Sequence, residues 1–160
     1  MKFTPYSSKD FSKVLHMLEQ HIDFAPDLAS PVPDENLSMF EDPGHNIQSY
    51  ILKSDDAAYV FAYMQVSKGK RDLKNGEPCF YVTELYAKND GHAEEHAKAL
   101  LTEFENVLIT TSELCGNVCP GNEYASAFWE ANGYHLSPER SVFYNVEHEL
   151  LAAYRKCLIQ

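Results

Sequence analysis

The sequence predicts one α/β domain, residues 1–160, built on a mixed central sheet with helices on both faces. Three observations support this. Cys79-Phe80-Tyr81-Val82-Thr83-Glu84-Leu85-Tyr86-Ala87 is the longest β signal in the chain. An amphipathic stripe and then the apolar run Val107 to Thr111 follow it, so strand, helix and strand read as a crossover between parallel neighbours. Ahead of it, Asn46 to Leu52 and Ala58 to Val66 are β-rich and predict an antiparallel hairpin.

The elements follow in order. Ser7 with Asp10 three positions on is a capping-box-like start, and Phe11, Val14, Leu15, Leu18 and Ile22 recur at helical spacing, predicting a helix from Ser8 to His21. Pro26 to Pro43 carries four prolines and admits at most a brief helix around Leu37 and Phe40. Ser54-Asp55-Asp56 is the hairpin turn. The loop Ser67 to Glu77 holds the densest basic cluster, Lys68, Lys70, Arg71 and Lys74, read as solvated charge. Asn89-Asp90-Gly91 ends the long strand, and Ala93, Ala97, Leu100, Leu101 and Phe104 form one stripe on a helix reaching Asn106. Asn122 caps a further helix, with Glu123 in its first turn, Ala125 and Phe128 inward and Gly133 as its stop. Tyr134 to Leu136 and Ser141 to Val146 are β-rich, and an apolar-periodic tail runs through Leu150, Leu151 and Tyr154.

Composition narrows the function. With 24 Asp plus Glu against 13 Lys plus Arg, the formal charge is −11. Nucleic acid and anionic membranes are therefore not expected as partners, because phosphate contacts need locally dense cations. No run approaches the ~18 apolar residues that span a bilayer, and no signal peptide is evident, so a cytoplasmic location is expected. The four cysteines, Cys79, Cys115, Cys119 and Cys157, are too sparse for a disulfide scaffold. Cys115 and Cys119 could serve a metal only if two further ligands converged. His92-Ala93-Glu94-Glu95-His96 spells H-x-x-E-H, a spacing that could hold a metal beside a water-activating carboxylate, or be an exposed histidine pair on a glutamate-rich helix.

Two further segments carry a family resemblance. Glu84-Leu85-Tyr86-Ala87 leads at matching length to Lys98-Ala99-Leu100-Leu101, and Asn122-x-x-Ala125-x-x-Phe128-Trp129-Glu130-x-x-Gly133-Tyr134 repeats a second pattern with its spacing intact. With the opening Met1-Lys2-Phe3-Thr4-Pro5 and its helix, these resemble the GNAT (Gcn5-related N-acetyltransferase) superfamily along nearly the whole chain. The resemblance implies the GNAT acyl-CoA N-acyltransferase fold and transfer of an acetyl group from acetyl-CoA to a primary amine. It assigns the backbone of Leu85, Tyr86 and Ala87 to the pantetheine arm, and the loop His92, Ala93, Glu95, His96 and Ala97 to the pyrophosphate at a helix N-terminus. Asn122 would help to hold the arm. Glu84 is the expected base that deprotonates the amine, and Trp129 stands where the family commonly has the tyrosine that protonates the leaving thiolate.

The chain departs from that pattern at the phosphate loop. His92 replaces the basic residue and Glu95 a glycine, and Lys88 to Asn106 carries five acidic residues against two lysines. A carboxylate about 4 Å from a phosphate charge, at an effective dielectric of about 20, is repelled by ~4 kcal/mol. The alternatives to a transferase are a non-catalytic GNAT-like module that binds a ligand or protein and, less favoured, a metal-dependent enzyme using His92, Glu95 and His96. The expected partner is a small-molecule or peptide amine, cationic to suit an acidic cleft, and a homodimer through edge strands or the C-terminal segment is plausible on this reading.

Overall fold

The computed structural model describes residues 1–22, 28–30, 47–69, 79–108 and 113–158. The β-rich runs assemble there into one sheet of seven strands: β1 (Lys2–Pro5), β2 (Ile47–Lys53), β3 (Val60–Lys68), β4 (Cys79–Ala87), β5 (Glu113–Val118), β6 (His135–Leu136) and β7 (Ala152–Cys157). Their spatial order is β1-β2-β3-β4-β5-β7-β6. Neighbours are antiparallel except β4 and β5, which run parallel. That pair is connected through α2 (Ala93–Leu108), because parallel strands need a crossover long enough to return the chain to the same end of the sheet. The mixed sheet expected from the sequence is present.

Burial explains the composition of β4. Its Val82, Leu85 and Ala87 join the main core with Ala97, Leu100, Leu101 and Phe104 of α2 and with Ala125, Phe128 and Trp129 of α3 (Glu123–Ala131). Tyr86 packs on the opposite face with Val14 and Met17 of α1 (Phe11–Ile22), Ile51 and Val60. Cys79 and Tyr81 enter a third cluster with Cys115 and Phe143. A strand covered on both sides reads as a continuous apolar run rather than an alternating one. Val82 and Leu85 share a face, although three positions apart, because Gln65 pairs with Glu84 while Val66 pairs with Val82. Thr83 is thus the extra residue of a bulge, and bulges bend and twist the strand that carries them.

The capping box forms, with Ser7 N–H donating to Asp10 Oδ2 at 3.0 Å, but it opens a 3₁₀ turn over Ser8–Asp10 before α1 begins. The helix is also rotated from the expected stripe. Val14 and Met17 are buried, while Phe11 and Leu15 are 57% and 42% exposed. The face is set by Ile51 and Val60, against which the unbranched Met17 packs; Ile22 lies outside the described side chains. Val107 and Leu108 do not begin a strand. They complete α2, where Leu108 extends the Phe104 stripe by one turn and is buried; residues 109–111 of that expected strand lie outside the described residues, and the next described strand is Glu113–Val118. Ser141 to Val146 is not a strand either, apart from a bridge between Tyr144 and Leu150. The Asn145 side chain folds this stretch back by accepting from Glu147 N and Glu149 N. The apolar tail is instead β7, antiparallel to β5. Residues 37–40 and the basic positions 70, 71 and 74 lie outside the described residues.

Two packing features fix β5. A Cβ on Gly116 would lie 2.2 Å from Trp129 Cε2, so the indole of α3 lies directly on the strand backbone. Glu113 is fully buried and accepts from Arg140 Nε at 2.9 Å and Nη2 at 2.8 Å, and from Arg155 Nη2. One carboxylate thereby ties β5 to the 3₁₀ turn Pro138–Arg140 and to β7.

Gly116→Ala is expected to cost about 1–3 kcal/mol by overpacking, read as a lower urea midpoint with unchanged slope. A wild-type midpoint would show that the Trp129 ring yields freely. Glu113→Ala strands two guanidinium groups and is expected to lose about 3–5 kcal/mol, with Glu113→Gln recovering part of the loss in the same unfolding experiment.

Candidate functional site

The parallel pairing of β4 and β5 covers only Cys79↔Glu113, Phe80↔Leu114, Tyr81↔Cys115 and Val82↔Gly116. It stops where the Thr83 bulge bends β4. Beyond that point the strands diverge, and the backbone of β4 at Leu85 and of β5 at Asn117 face a slot in the plane of the sheet. Leu28, Ala29 and Ser30 lie in it. Ala29 makes an antiparallel bridge with Leu85, Ser30 N–H donates to Asn117 O at 2.8 Å, and the Trp129 indole N–H donates to Leu28 O at 2.7 Å. Leu28 and Ala29 are buried at 3% and 1% exposure.

Each sequence-predicted residue can now be placed. Leu85 is on the slot edge, with its side chain in the core. Tyr86 turns to the α1 face and stacks on Tyr63, centroids 6.4 Å apart, while Ala87 is buried in the main core. Glu84, opposite Gln65 in the ladder, lies close enough to Tyr63 for its charge to be felt there. Burial raises the Tyr63 phenol above its ordinary value, a hydrogen bond with Ser49 at 3.1 Å opposes this, and the Glu84 charge adds to it. Tyr6 meets the Tyr63 ring edge-on at 6.0 Å. Glu84 and a tyrosine cluster therefore share one side of the slot. Trp129, fully buried, comes from the other with a hydrogen-bond donor aimed into it.

Tyr134 and Tyr124, the other phenols near this region in sequence, are engaged elsewhere. Tyr134 donates to Glu105 at 3.2 Å, and burial together with that carboxylate pushes its phenol well up. Burial and the Glu94 carboxylate push Tyr124 up to about 12. Asn122 is the N-cap of α3, its Oδ1 accepting from Ala125 N at 3.0 Å.

At the start of α2 the first helical bond is His96 N to His92 O. The N–H groups of Ala93, Glu94 and Glu95 thus lie outside the i→i−4 ladder, the usual condition for holding an anion. Asp90 already serves this end, accepting from His92 N at 3.0 Å and from the His96 ring at 2.9 Å. Burial works to raise the Asp90 carboxyl, but its hydrogen bonds with His96 and His92 N–H outweigh that and hold it below the ordinary carboxylate range. His96 is buried against Phe61, centroids 5.0 Å apart, where an aliphatic side chain would be expected, and Ala97 is buried beside it. His92 and Glu95 point to solvent and pair at 3.4 Å. The two histidines of H-x-x-E-H meet edge-on with ring centroids 6.3 Å apart, one exposed and one buried, and among the described residues no group of three or more His, Cys, Asp or Glu could hold a metal. Cys115 is a core residue, with Cys119 packed at the edge of the same apolar cluster. Its sulfur lies 3.3 Å from that of Cys79. Between α2 and α3 an open groove of about 400 Å³ is lined by Glu94, Glu95, Lys98, Tyr124, Phe128 and Asn132.

An acyl-CoA can be tested against this geometry. The slot offers backbone edges suited to the amides of a pantetheine arm, and α2 presents N–H groups for a diphosphate. What opposes it is charge, from Asp90, Glu94 and Glu95, and the presence of Leu28–Ser30. The residues that sequence reasoning missed are Leu28, Ala29, Ser30, Asn117 and Tyr63. The first three give no local signal beyond their bracketing by Pro26 and Pro31.

No family model and no curated protein matches the chain. Solved structures do. It superposes on the aminoglycoside N(6')acetyltransferase from Legionella pneumophila with a TM-score of 0.70 at 14% identity, covering 98% of this chain and 91% of that one. The ribosomal-protein-S18-alanine N-acetyltransferase from Escherichia coli gives 0.63 at 12% identity, covering 99% and 94%. NAA60 from Arabidopsis thaliana, in complex with acetyl-CoA, gives 0.62 at 15% identity, covering 98% of each. The chain has the fold of the GNAT N-acetyltransferases.

The Asp90 carboxylate makes the site sensitive to acid. A carboxyl held down in the folded state contributes stability above its unfolded pKa, ~3.9, and loses it as pH falls through the lower folded value. Asp90→Asn is expected to lower the thermal midpoint at pH 6 and to narrow its gap from wild type toward pH 3. A gap that stays constant over this range would show that Asp90 contributes only as a neutral cap.

Proposed function

We propose that the chain is a GNAT-type N-acyltransferase that moves an acetyl group from acetyl-CoA to a primary amine. The observation that carries this is the end of β4–β5 pairing at Val82–Gly116, which sets a backbone-lined slot beside Glu84. Acetyl-CoA, when bound, supplies the activated thioester. The rest falls to this chain. Attack requires a neutral amine, and Glu84 takes the ammonium proton directly or through one water. Backbone at Leu85 and Asn117 orients the donor arm. The Trp129 indole supplies a hydrogen bond to the leaving side but carries no proton that it can release near neutral pH, so the thiolate departs stabilised and is protonated by solvent. The acidic surface favours cationic amines, either small molecules or peptide N-termini.

A second reading, a GNAT-fold module that binds a ligand or protein without transfer, is favoured by Asp90 at the α2 terminus and by Trp129 in place of an acid. Calorimetric titration with acetyl-CoA, with and without zinc, joined to an acetylation assay over a panel of polyamines, aminoglycosides and peptides, separates the readings. Micromolar acetyl-CoA binding with turnover of one amine class is expected. Glu84→Gln should keep the binding and lower kcat by about 10²–10⁴-fold, flattening the acidic limb of the pH profile. Binding without turnover on any amine would leave the module, and zinc uptake with no acetyl-CoA binding would sink both in favour of a metal site.

A further inference from the structure

We propose that Leu28–Ser30 is a built-in competitor for the acyl-donor slot, so that the free protein is self-occupied and the donor enters by displacing this segment. The inference rests on the transferase reading, since it names what the segment competes with. A pantetheine arm is an extended chain with two amide groups, and a slot between diverging strands recognises such a chain by main-chain hydrogen bonds. Leu28–Ser30 presents the same chemistry. It is an extended backbone bridged to β4 at Leu85, bonded to β5 at Asn117 and held from α3 by the Trp129 indole. Those are the groups that a donor arm would need. Ser30 precedes Pro31, which biases it toward the extended conformation required there.

The fit is incomplete. Asn117 is 1% exposed, and both Oδ1 and Nδ2 of its side chain are buried without a hydrogen-bond partner. Buried carboxamides are nearly always paired. A slot filled by its permanent occupant would satisfy this group, whereas the present segment uses only the Asn117 backbone carbonyl. The segment therefore closes the slot against water while a buried donor and acceptor beside it stay unmet. Because the competent, open form is a minor state, the apparent affinity for donor is reduced by the fraction open.

Hydrogen exchange on the full chain, read by mass spectrometry, tests this together with acetyl-CoA titration. In the free protein the amides of Ala29 and Ser30 are expected to be protected. Saturating acetyl-CoA should deprotect them while the amide of Leu85 stays protected. Ser30→Pro removes the donor to Asn117 O and should tighten acetyl-CoA binding about tenfold, the shift expected from losing one buried hydrogen bond in the closed form. Free exchange at residues 28–30 without ligand, unchanged affinity in Ser30→Pro, or no acetyl-CoA binding by either protein would overturn the proposal; the first is measured on wild type and needs no variant to fold. Displacement of 28–30 without acetylation of any amine would uphold the competitor and remove the transferase. Acetylation with unaltered exchange at 28–30 would do the reverse.

Discussion

Four residue pairs between β4 and β5 determine most of what this molecule can do. A parallel ladder has no hairpin to hold its register, so the pairing depends on side chains at its ends and on the crossover helix. At one end the buried Glu113, shared by Arg140 and Arg155, locks β5 to β7 and to the turn before it. At the other, Gly116 lies under the Trp129 ring and the Thr83 bulge turns β4 aside. Between these limits the sheet is continuous. Past them it must open, and main-chain donors and acceptors that would be paired in a longer ladder are left for another chain. The candidate site is thus a consequence of where a β-ladder ends, before any catalytic side chain is considered.

Charge acts on this frame in two different ways. Some acidic groups are matched: buried Glu113 by two arginines, half-buried Glu105 by Lys156 at 2.8 Å, and the more exposed Asp90 by His96 and a helix N–H. Outside, on the first turn of α2, Glu94 and Glu95 are exposed with Lys98 as the nearby groove cation. Part of the excess of acid therefore lies at a helix N-terminus, where a bound phosphate would need the opposite sign. His96 is the polar member of the buried face of α2. A polar ring in an otherwise apolar layer is tolerated because Asp90 satisfies its nitrogen, and that same carboxylate meets the helix end.

Much of the fold was legible because its signals were local. The long apolar run of β4 and the stripe of α2 each follow from a single periodicity, and Asn122, Ala125 and Phe128 fall where the cap and inward face of α3 lie. Where expectation and structure part, a tertiary contact decided. α1 rotates to bury Met17 because of what β2 and β3 present, Val107 and Leu108 finish a helix because Leu108 continues its stripe, and the final strand lies in the tail because Asn145 folds the preceding stretch into a turn. The site was legible only in part. Glu84, Leu85 and Trp129 could be located from motif spacing. That Leu28 would reach Trp129, 101 positions away in the chain, has no signature in composition or period, because a backbone hydrogen bond can be made by any residue.

The contact between Gly116 and Trp129 ties together two positions whose chemistry looks unrelated. The indole at 129 rests on a residue with no side chain at 116, so a Cβ there costs packing energy, and a smaller ring at 129 would leave a void above the bare strand. The two positions therefore form one packing unit. A change at either position is thus constrained by the other, although one lies on a strand and the other on a helix.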